Sequence, residues 1–255
     1  NSNTTRHLAE FWMIEPEICF INFENLIDLA EDYLKFCVDY CLDKCHDEIE
    51  FFTKHYQPSL KEDLIKLSST SFVRMTYKEV IETINKDIMD GIAIINEPTM
   101  EPKKFKKLAK GKHIFEGPVT RGSSGERIWT PSLGGIDGFQ IIPSDYDLDS
   151  EHEKYMTTKL GGPLVITDFP AKIKSFYMKP NEDTSTVQAM DIVVPGIGEI
   201  IGGSMREDDY TVLKEKMDTL GIDIPWYLDL RKYGSVPHGG FGLGFERLIM
   251  MMTGI

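Results

Sequence analysis

A succession of strand patterns after residue 163 most constrains the fold of this chain. The segments are PLVITDFP, KSFYMKP, TVQAMDIVVPG and IGEIIGGSMRE, and Pro195-Gly196 is typical of a turn between the last two. Strands that follow one another through short turns pair antiparallel, because parallel pairing needs a long crossover. With a helical pattern over 207–218 and others upstream, the sequence predicts an antiparallel sheet flanked by helices, an α+β fold.

The first part of the chain is predicted to be one strand followed by helices. Residues 9–21 are apolar and aromatic with interspersed glutamates, which favours a strand with one solvated face. Asn22 suits a helix N-cap, and apolar residues then recur every three or four positions up to Cys45, which predicts about six helical turns. A helical pattern returns over 57–96, and its clearest part is 75–84.

Composition and charge limit the classes of function. The 255 residues suffice for one large or two small domains, and they contain no signal peptide and no apolar window long enough to span a membrane. The net charge of −13 argues against a surface that binds nucleic acid throughout. Six lysines within 102–113 are a local exception that could be a solvated loop or a phosphate contact. They belong to an irregular insertion over 97–145 with room for one hairpin.

Three of the four cysteines recur at one-turn spacing on the first predicted helix: Cys37, Cys41 and Cys45. A zinc site is one interpretation, since thiolates bind this metal. Because Leu34 and Leu42 lie on the same face, buried thiols that act as small hydrophobic groups are the favoured interpretation. Four cysteines without a secretory signal also indicate reduced thiols and a cytoplasmic location.

The segment GGFGLGFERL, residues 239–248, combines a glycine-rich strand with the start of a helix. Glycine weakens a strand unless something must approach its backbone closely, and a flat ligand on the strand would explain the pattern. Arg247 at the helix start could stack on a base or fork onto phosphate oxygens. A bulged strand that crosses another backbone, with Arg247 in a structural ion pair, is the alternative.

Two carboxylates flank the Pro195-Gly196 turn. If the strands pair as a hairpin, Asp191 and Glu199 converge across it, and carboxylates are ligands that Mg²⁺ prefers. Arg206 follows on an adjoining turn with two glycines, where it could pair with a substrate carbonyl or carboxylate. The alternative is an exposed acidic hairpin with no ligand.

The segment TRHLAEF, residues 5–11, carries a cation, an anion and an aromatic ring in Arg6, Glu10 and Phe11. This set suits a nucleotide with a charged co-substrate. A surface salt bridge beside ordinary core packing explains it equally when the segment is taken alone.

Together these segments resemble the class II aminoacyl-tRNA synthetases. NSNTTRHLAEFWMIEPE resembles the second signature motif of their aspartate/asparagine branch, and GGFGLGFERL resembles the third. SEHEKYM, KSFYMKPNED, DIVVPGIGEIIGGSMRE and DLRKYGSVPHGGFG resemble the asparaginyl enzymes. The resemblance covers nearly the whole chain and is weakest over 97–145.

The resemblance implies both a fold and a reaction. In this family an antiparallel sheet flanked by helices holds bent ATP, asparagine becomes asparaginyl-adenylate, and the acyl group passes to tRNA(Asn). A homodimeric full-length enzyme is implied, with no membrane association. An aspartate-specific enzyme, a tRNA-independent asparagine synthetase and a non-catalytic paralogue remain alternatives.

The resemblance also assigns roles to nucleotide-binding residues: Arg6, His7, Phe11, Asp191, Glu199, Gly244 and Arg247. Phe11 and Arg247 would sandwich the adenine of ATP, while Arg6 and His7 would face the β- and γ-phosphates. Arg6, His7 and Arg247 are thereby implied as catalytic. Asp191 and Glu199 would hold Mg²⁺ between the phosphates.

The implied amino-acid site consists of Glu10, Tyr177, Arg206 and Gly242. Glu10 and Arg206 would recognise the asparagine side chain, Tyr177 would line its pocket, and Gly242 would let the ligand lie against the strand. The family's second motif opens with Phe-Arg-Ala-Glu before NSNT, and its first motif and anticodon-binding barrel have no counterpart here. We therefore expect residues 1–255 to be an incomplete class II catalytic domain with little adenylation activity alone.

Overall fold

The computed structural model describes residues 10–90, 93–95, 113–115, 142 and 144–255. The strands in these ranges are β1 (Met13–Ile14), β2 (Glu17–Cys19), β3 (Val73–Thr76), β4 (Ala93–Ile95), β5 (His113–Phe115), β6 (Leu164–Pro170), β7 (Thr186–Val194), β8 (Gly198–Met205) and β9 (His238–Gly244). The helices are α1 (Phe23–Lys44), α2 (His46–His55), α3 (Leu60–Ser69), α4 (Tyr77–Met89), α5 (Ser150–Leu160), α6 (Tyr210–Leu220), α7 (Pro225–Lys232) and α8 (Phe245–Thr253).

One large sheet organises the described part of the chain. Its order is β1-β9-β8-β7-β6-β3, and β2 also pairs with β9. All neighbours are antiparallel except β3 and β6, which are parallel. The predicted α+β fold with an antiparallel sheet is therefore confirmed, with one parallel edge strand that the sequence did not predict.

Helices cover both faces of the sheet. One core contains residues from α1, α2, α3 and α8, and the other contains residues from α4 and α5. Strand β7 alternates between them, because Met190 and Ile192 belong to the first core, whereas Ala189 and Val193 belong to the second. This alternation places Asp191 on the α5 face.

The first helix forms as predicted. The Asn22 side chain accepts a hydrogen bond from the Asn25 amide at 2.8 Å, and the helix runs for 22 residues. Cys37 and Cys41 pack against the core as free thiols, and burial raises the pKa of both. Cys37 and Cys41 therefore act as hydrophobic groups, as expected, whereas Cys45 is the C-cap residue that follows α1. The described ranges contain no helix long and apolar enough to cross a membrane.

The predicted strand over 9–21 is two short strands separated at Pro16. Proline has no amide hydrogen to donate, so the ladder with β9 is interrupted there. The Pro16 carbonyl still accepts from the Phe241 amide at 3.3 Å, which keeps both strands on the same neighbour.

The helix predicted over 75–84 begins at Tyr77, because Thr76 and Glu79 form a reciprocal capping box. Met75 and Thr76 belong instead to β3. Val80 and Ile84 are fully buried, in agreement with the apolar face that the sequence predicted.

The strand predicted for KSFYMKP was wrong. Ala171–Ile173 is a 3₁₀ turn, and only isolated bridges at Met178 and Pro180 follow it. Pro170 and Pro180 cannot donate to a ladder, so the chain leaves the sheet between them. Gly202 and Gly203 also lie within β8 rather than on a turn.

The insertion over 97–145, with its lysines and its predicted hairpin, lies almost wholly outside the described residues. Two short strands, β4 just before this segment and β5 within it, pair in parallel with each other.

Candidate active site

A cavity of about 550 Å³ opens on the α5 face of the sheet. Its lining includes five residues that the sequence had singled out: Tyr177, Asp191, Glu199, Arg206 and Gly242. It also includes Glu15, Glu17 and Lys174, which the sequence had not. Segments distant in the chain therefore meet at one site.

Glycines form the floor of the cavity because side chains from other segments lie directly over them. Gly202 and Gly242 are register partners on β8 and β9. A Cβ atom on Gly242 would lie 2.7 Å from Met13 Cε, and one on Gly240 would collide with the Glu17 carboxylate. The glycine-rich strand predicted that some group approaches its backbone closely. In this structure the side chains of Met13 and Glu17 make that approach.

Arg206 is held in one orientation at the cavity wall. Its Nε and Nη2 donate to the two carboxylate oxygens of Glu17 at 2.9 and 3.0 Å, and Nη1 donates to Ser204 Oγ. The guanidinium carbon lies 5.3 Å from the centroid of the Tyr177 ring. A forked guanidinium–carboxylate pair is the strongest geometry for such a contact, and it fixes a donor group beside an acceptor group.

Glu17 is the carboxylate that contacts Arg206, whereas the sequence had assigned Glu10 and Arg206 jointly to the asparagine side chain. Glu17, Gly240 and Ser204 are register neighbours across three strands, which sets this contact. Glu10 is exposed and lies outside the cavity lining. Its proposed role in recognising asparagine remains a prediction.

The carboxylates of Asp191 and Glu199 converge above Gly202. A Cβ atom on Gly202 would lie 2.7 Å from Glu199 Oε1 and 3.4 Å from Asp191 Oδ1, so both groups reach the same point. Lys174 Nζ lies 2.8 Å from Asp191 Oδ2 and 3.7 Å from the Phe169 ring centroid. The cluster thus contains one ammonium group facing two converging carboxylates.

Burial raises the pKa of Asp191 to about 7. Lys174 opposes this shift by stabilising the ionised form, whereas the negative charges of Glu199 and Glu153 reinforce it. A bound cation would therefore stabilise the ionised form of Asp191, because it would offset the negative charge of Glu199.

The carboxylates of Asp191 and Glu199 fit a magnesium ion that is already bound to phosphate groups. Two carboxylates can hold Mg²⁺ when phosphate oxygens and water supply the remaining ligands. Within the described ranges there is no group of three or more His, Cys, Asp or Glu side chains that could enclose a metal without such help.

Arg247 links the start of α8 to the carboxylate pair. Its Nη1 donates to the Glu199 carbonyl and lies 3.7 Å from Glu199 Oε2. Gly244 lies under its side chain, since a Cβ there would be 3.6 Å from Arg247 Cδ.

The segment that carries Phe11 reaches the same edge of the site. The Trp12 amide donates to Glu246 at 2.7 Å, and the Trp12 carbonyl accepts from Phe245 at 3.1 Å. Phe11 is 62% exposed, which leaves its ring free to contact a ligand. Arg6 and His7 lie outside the described residues, so their proposed phosphate contacts remain predictions.

Residues 1–255 match the family model described as tRNA synthetases class II (D, K and N). The chain belongs to this family. The asparagine–tRNA ligase of Phocaeicola vulgatus is 42% identical over 259 residues, an alignment that covers 100% of this chain and 46% of that protein.

Two solved class II structures resemble the chain closely. The Entamoeba histolytica asparaginyl-tRNA synthetase with asparaginyl-adenylate has a TM-score of 0.72 and 31% identity, over 99% of this chain and 46% of that one. The Pyrococcus horikoshii asparaginyl-tRNA synthetase with asparaginyl-adenylate has a TM-score of 0.72 and 29% identity, over 100% and 46%. The chain thus spans less than half the length of these class II relatives.

Sequence reasoning missed Lys174 and Glu17 for different reasons. Lys174 lies in a segment that was predicted to be a strand, and nothing in that pattern indicated that its side chain would face a ligand. Glu17 was present in the motif EPE, next to the proline that separates β1 from β2. That proline was a usable signal, because it implied a break in the strand and a separate register for Glu17.

We predict that Asp191→Asn changes how stability depends on pH. The pKa of Asp191 is raised from 3.8 to about 7, so the folded chain holds a proton that the unfolded chain releases between these values. Wild-type stability should therefore fall as pH rises from about 4 to about 7, and the variant should lack this loss. Between pH 5 and pH 7, the free energy of unfolding of the variant should rise by on the order of 2 kcal/mol relative to that of wild type.

Urea unfolding followed by circular dichroism at several pH values between 5 and 8 measures this difference. Asp183→Asn is the control, because hydrogen bonds to Ser185 lower the pKa of Asp183 and its titration ends below the window. A constant difference between Asp191→Asn and wild type from pH 5 to pH 7 would contradict the prediction.

Proposed function

We propose that this chain is the asparagine-activating part of an asparagine–tRNA ligase. In the reaction, a carboxylate oxygen of asparagine attacks the α-phosphorus of ATP, pyrophosphate leaves, and asparaginyl-adenylate results. The ribose hydroxyl at the 3′ end of tRNA(Asn) then attacks the acyl carbon of the adenylate, which forms an ester and releases AMP and a proton. The sequence relatives named asparagine–tRNA ligase and the two similar structures solved with asparaginyl-adenylate support the proposal.

The observation that carries the proposal is the Arg206–Glu17 pair at the cavity wall. An asparagine side chain offers one carbonyl acceptor and one NH₂ donor. Arg206 supplies donors and Glu17 supplies acceptors, held together at 2.9 Å. The chemistry of the wall therefore matches both halves of an amide.

The same pair argues against aspartate, the second candidate substrate. An aspartate carboxylate could accept from Arg206, but its other oxygen would face the negative charge of Glu17. Like charges at hydrogen-bond distance are strongly unfavourable in a partly desolvated site. A site built to hydrogen-bond one group rejects an analogue that leaves its polar atoms unpaired.

The other residues would contact the metal ion, the adenine and the phosphates of ATP. Asp191 and Glu199 would hold Mg²⁺, which neutralises phosphate charge when it is bound. Phe11 and Arg247 would enclose the adenine, and Arg6 and His7 would face the β- and γ-phosphates. Lys174 is a further candidate for contact with the reacting carboxylate or the α-phosphate, since its ammonium already lines the cavity.

Calorimetry tests the proposal directly. We expect the chain to bind Mg·ATP and asparagine, and to bind aspartate at least about 100-fold more weakly than asparagine. Asparagine-dependent exchange of pyrophosphate into ATP then tests the chemical step. Equal affinity for both amino acids would refute the preference for asparagine, and binding of neither ATP nor asparagine would favour a non-catalytic paralogue.

Three finer points also stand as proposals: Mg²⁺ as the metal, a homodimeric full-length protein, and a cytoplasmic location. The all-oxygen donor pair supports the first. The last is supported by the cysteines of the described ranges, Cys19, Cys37, Cys41 and Cys45, which are all free. Light scattering of the full-length protein measures its assembly state.

A further inference from the structure

The peptide groups on either side of Glu199 are held by two side chains. The Glu199 amide donates to Glu153 Oε2 at 3.2 Å, and the Glu199 carbonyl accepts from Arg247 Nη1. Both contacts lie outside the backbone ladder of the sheet. They occur where the pairing of β7 with β8 shifts register between Ile192 and Val193. Such a bulge frees backbone groups and redirects the side chain it carries.

Glu153 reaches this bulge from a well-anchored helix. Asp149 caps α5 and forms a reciprocal pair with His152, and both Tyr155 and Met156 are buried. Tyr155 and Lys159 of the same helix bond Asp87 of α4, with the Lys159–Asp87 distance at 2.6 Å. The position of the Glu153 carboxylate is therefore set by packing rather than by its own flexibility.

The consequence for Glu199 is a fixed direction of its side chain. The bulge and its two restraints aim the carboxylate over Gly202, where it meets that of Asp191. Rotation of this peptide would turn Glu199 away from Asp191. Glu153 is half-buried and is not part of the cavity lining, so it would act through Glu199 and not on the substrate.

We propose that Glu153 is a positioning residue for the cation site of Mg·ATP: its hydrogen bond to the Glu199 amide holds the Glu199 carboxylate beside Asp191. This inference rests on the proposed function for its consequence, and on geometry alone for the hydrogen bond. Groups that orient metal-binding carboxylates commonly change metal affinity by about 10- to 100-fold when removed.

The experiment compares Glu153→Ala, Glu153→Gln and Glu151→Ala with wild type. Gln keeps a carbonyl oxygen that can accept from the Glu199 amide, so it should rescue the contact. Glu151 is the matched control, because it lies on the same turn of α5 but pairs with Lys154 at 3.1 Å. Hydrogen–deuterium exchange of the Glu199 amide is the first measurement, and calorimetry of ATP with Mg²⁺ and with EDTA is the second.

We expect Glu153→Ala to speed exchange at Glu199 by at least about 10-fold and to weaken Mg·ATP binding by about 10-fold. Metal-free ATP should bind the variant as it binds wild type, and Glu153→Gln and Glu151→Ala should stay within about threefold of wild type in all measurements. If wild type itself fails to bind Mg·ATP, the proposed function fails, and exchange at Glu199 still reports on the hydrogen bond.

Three results would overturn the inference alone. They are unchanged exchange at Glu199 in Glu153→Ala, an Mg·ATP affinity of Glu153→Ala equal to that of a wild type that binds Mg·ATP, and a loss in Glu153→Gln as large as in Glu153→Ala. The last would mean that the charge of Glu153 matters and its hydrogen bond does not.

Discussion

Replacing Arg206 by Leu is expected to weaken asparagine binding by at least about 100-fold, the largest effect of any single side chain in the site. Arg206 supplies the hydrogen-bond donors for the carbonyl of the asparagine side chain. Its removal also leaves the Glu17 carboxylate without its partner. Removing Arg206 takes away both the donors for the substrate carbonyl and the group that orients the Glu17 carboxylate, so the loss exceeds that of one hydrogen bond. Calorimetric titration with asparagine in the presence of Mg·ATP measures it.

Two further variants test whether Glu17, as the structure indicates, or Glu10, as the sequence indicated, contributes the carboxylate that binds asparagine. Glu17→Gln should weaken asparagine binding by at least about 10-fold, because it removes the charged acceptor that fixes Arg206. Glu10→Gln should change it by less than about threefold, because Glu10 is exposed and is not among the residues that line the cavity. A larger loss of asparagine affinity in Glu10→Gln than in Glu17→Gln would contradict the role given to Glu17 and would support Glu10 as the residue that binds asparagine.

Replacing Gly202 by Ala should remove Mg·ATP binding while leaving the chain folded. The added Cβ would lie 2.7 Å from Glu199 Oε1, which is the far end of a side chain and not backbone, so rotation about the side-chain bonds can displace the carboxylate at little cost to stability while the Glu199 peptide stays in place. In moving, it abandons the position beside Asp191. We expect the affinity for Mg·ATP to fall at least about 30-fold and the free energy of unfolding to change by less than about 1 kcal/mol.

Gly203→Ala is the matched control and should show the opposite result. Its Cβ would lie 2.7 Å from Phe241 Cβ and 2.9 Å from the Gly240 carbonyl, neither of which can move without displacing β9. This variant should lose about 2 kcal/mol or more of stability through overpacking. Urea unfolding and calorimetry on both variants provide the comparison. A Gly202→Ala protein that binds Mg·ATP normally would show that Glu199 has no part in holding the metal.

The local elements were largely predictable, because their signals lie within a few residues of one another. The Asn22 cap, the six turns of α1 and the buried face of α4 follow from short-range periodicity and capping chemistry. The strands β6, β7 and β8 follow from their β-branched content and from the turn at Pro195-Gly196. Two of the errors occur at prolines, where a missing amide hydrogen splits or ends a strand that its composition favours, and a third is the edge strand β3, which lies in a segment with a helical pattern.

The candidate site was predictable to the extent that its residues stand in recognisable motifs. Asp191, Glu199 and Arg206 share one hairpin, and a hairpin with a tight turn brings its two strands together whatever surrounds it. Family resemblance added Tyr177 and Gly242, which also line the cavity. Nothing in the motifs indicated Lys174 or Glu153, since each reaches the site from a different segment.

The sequence by itself determined most of the helices and strands, that the sheet is mainly antiparallel, and which motif residues could carry the chemistry. Only the tertiary structure decided that Glu17 contacts Arg206, that Lys174 pairs with Asp191, and that Glu153 holds Glu199. Periodicity reports the direction of a side chain within its own element. Which carboxylate meets which cation depends on the register between strands and on helix placement, and both are set by packing over the whole core.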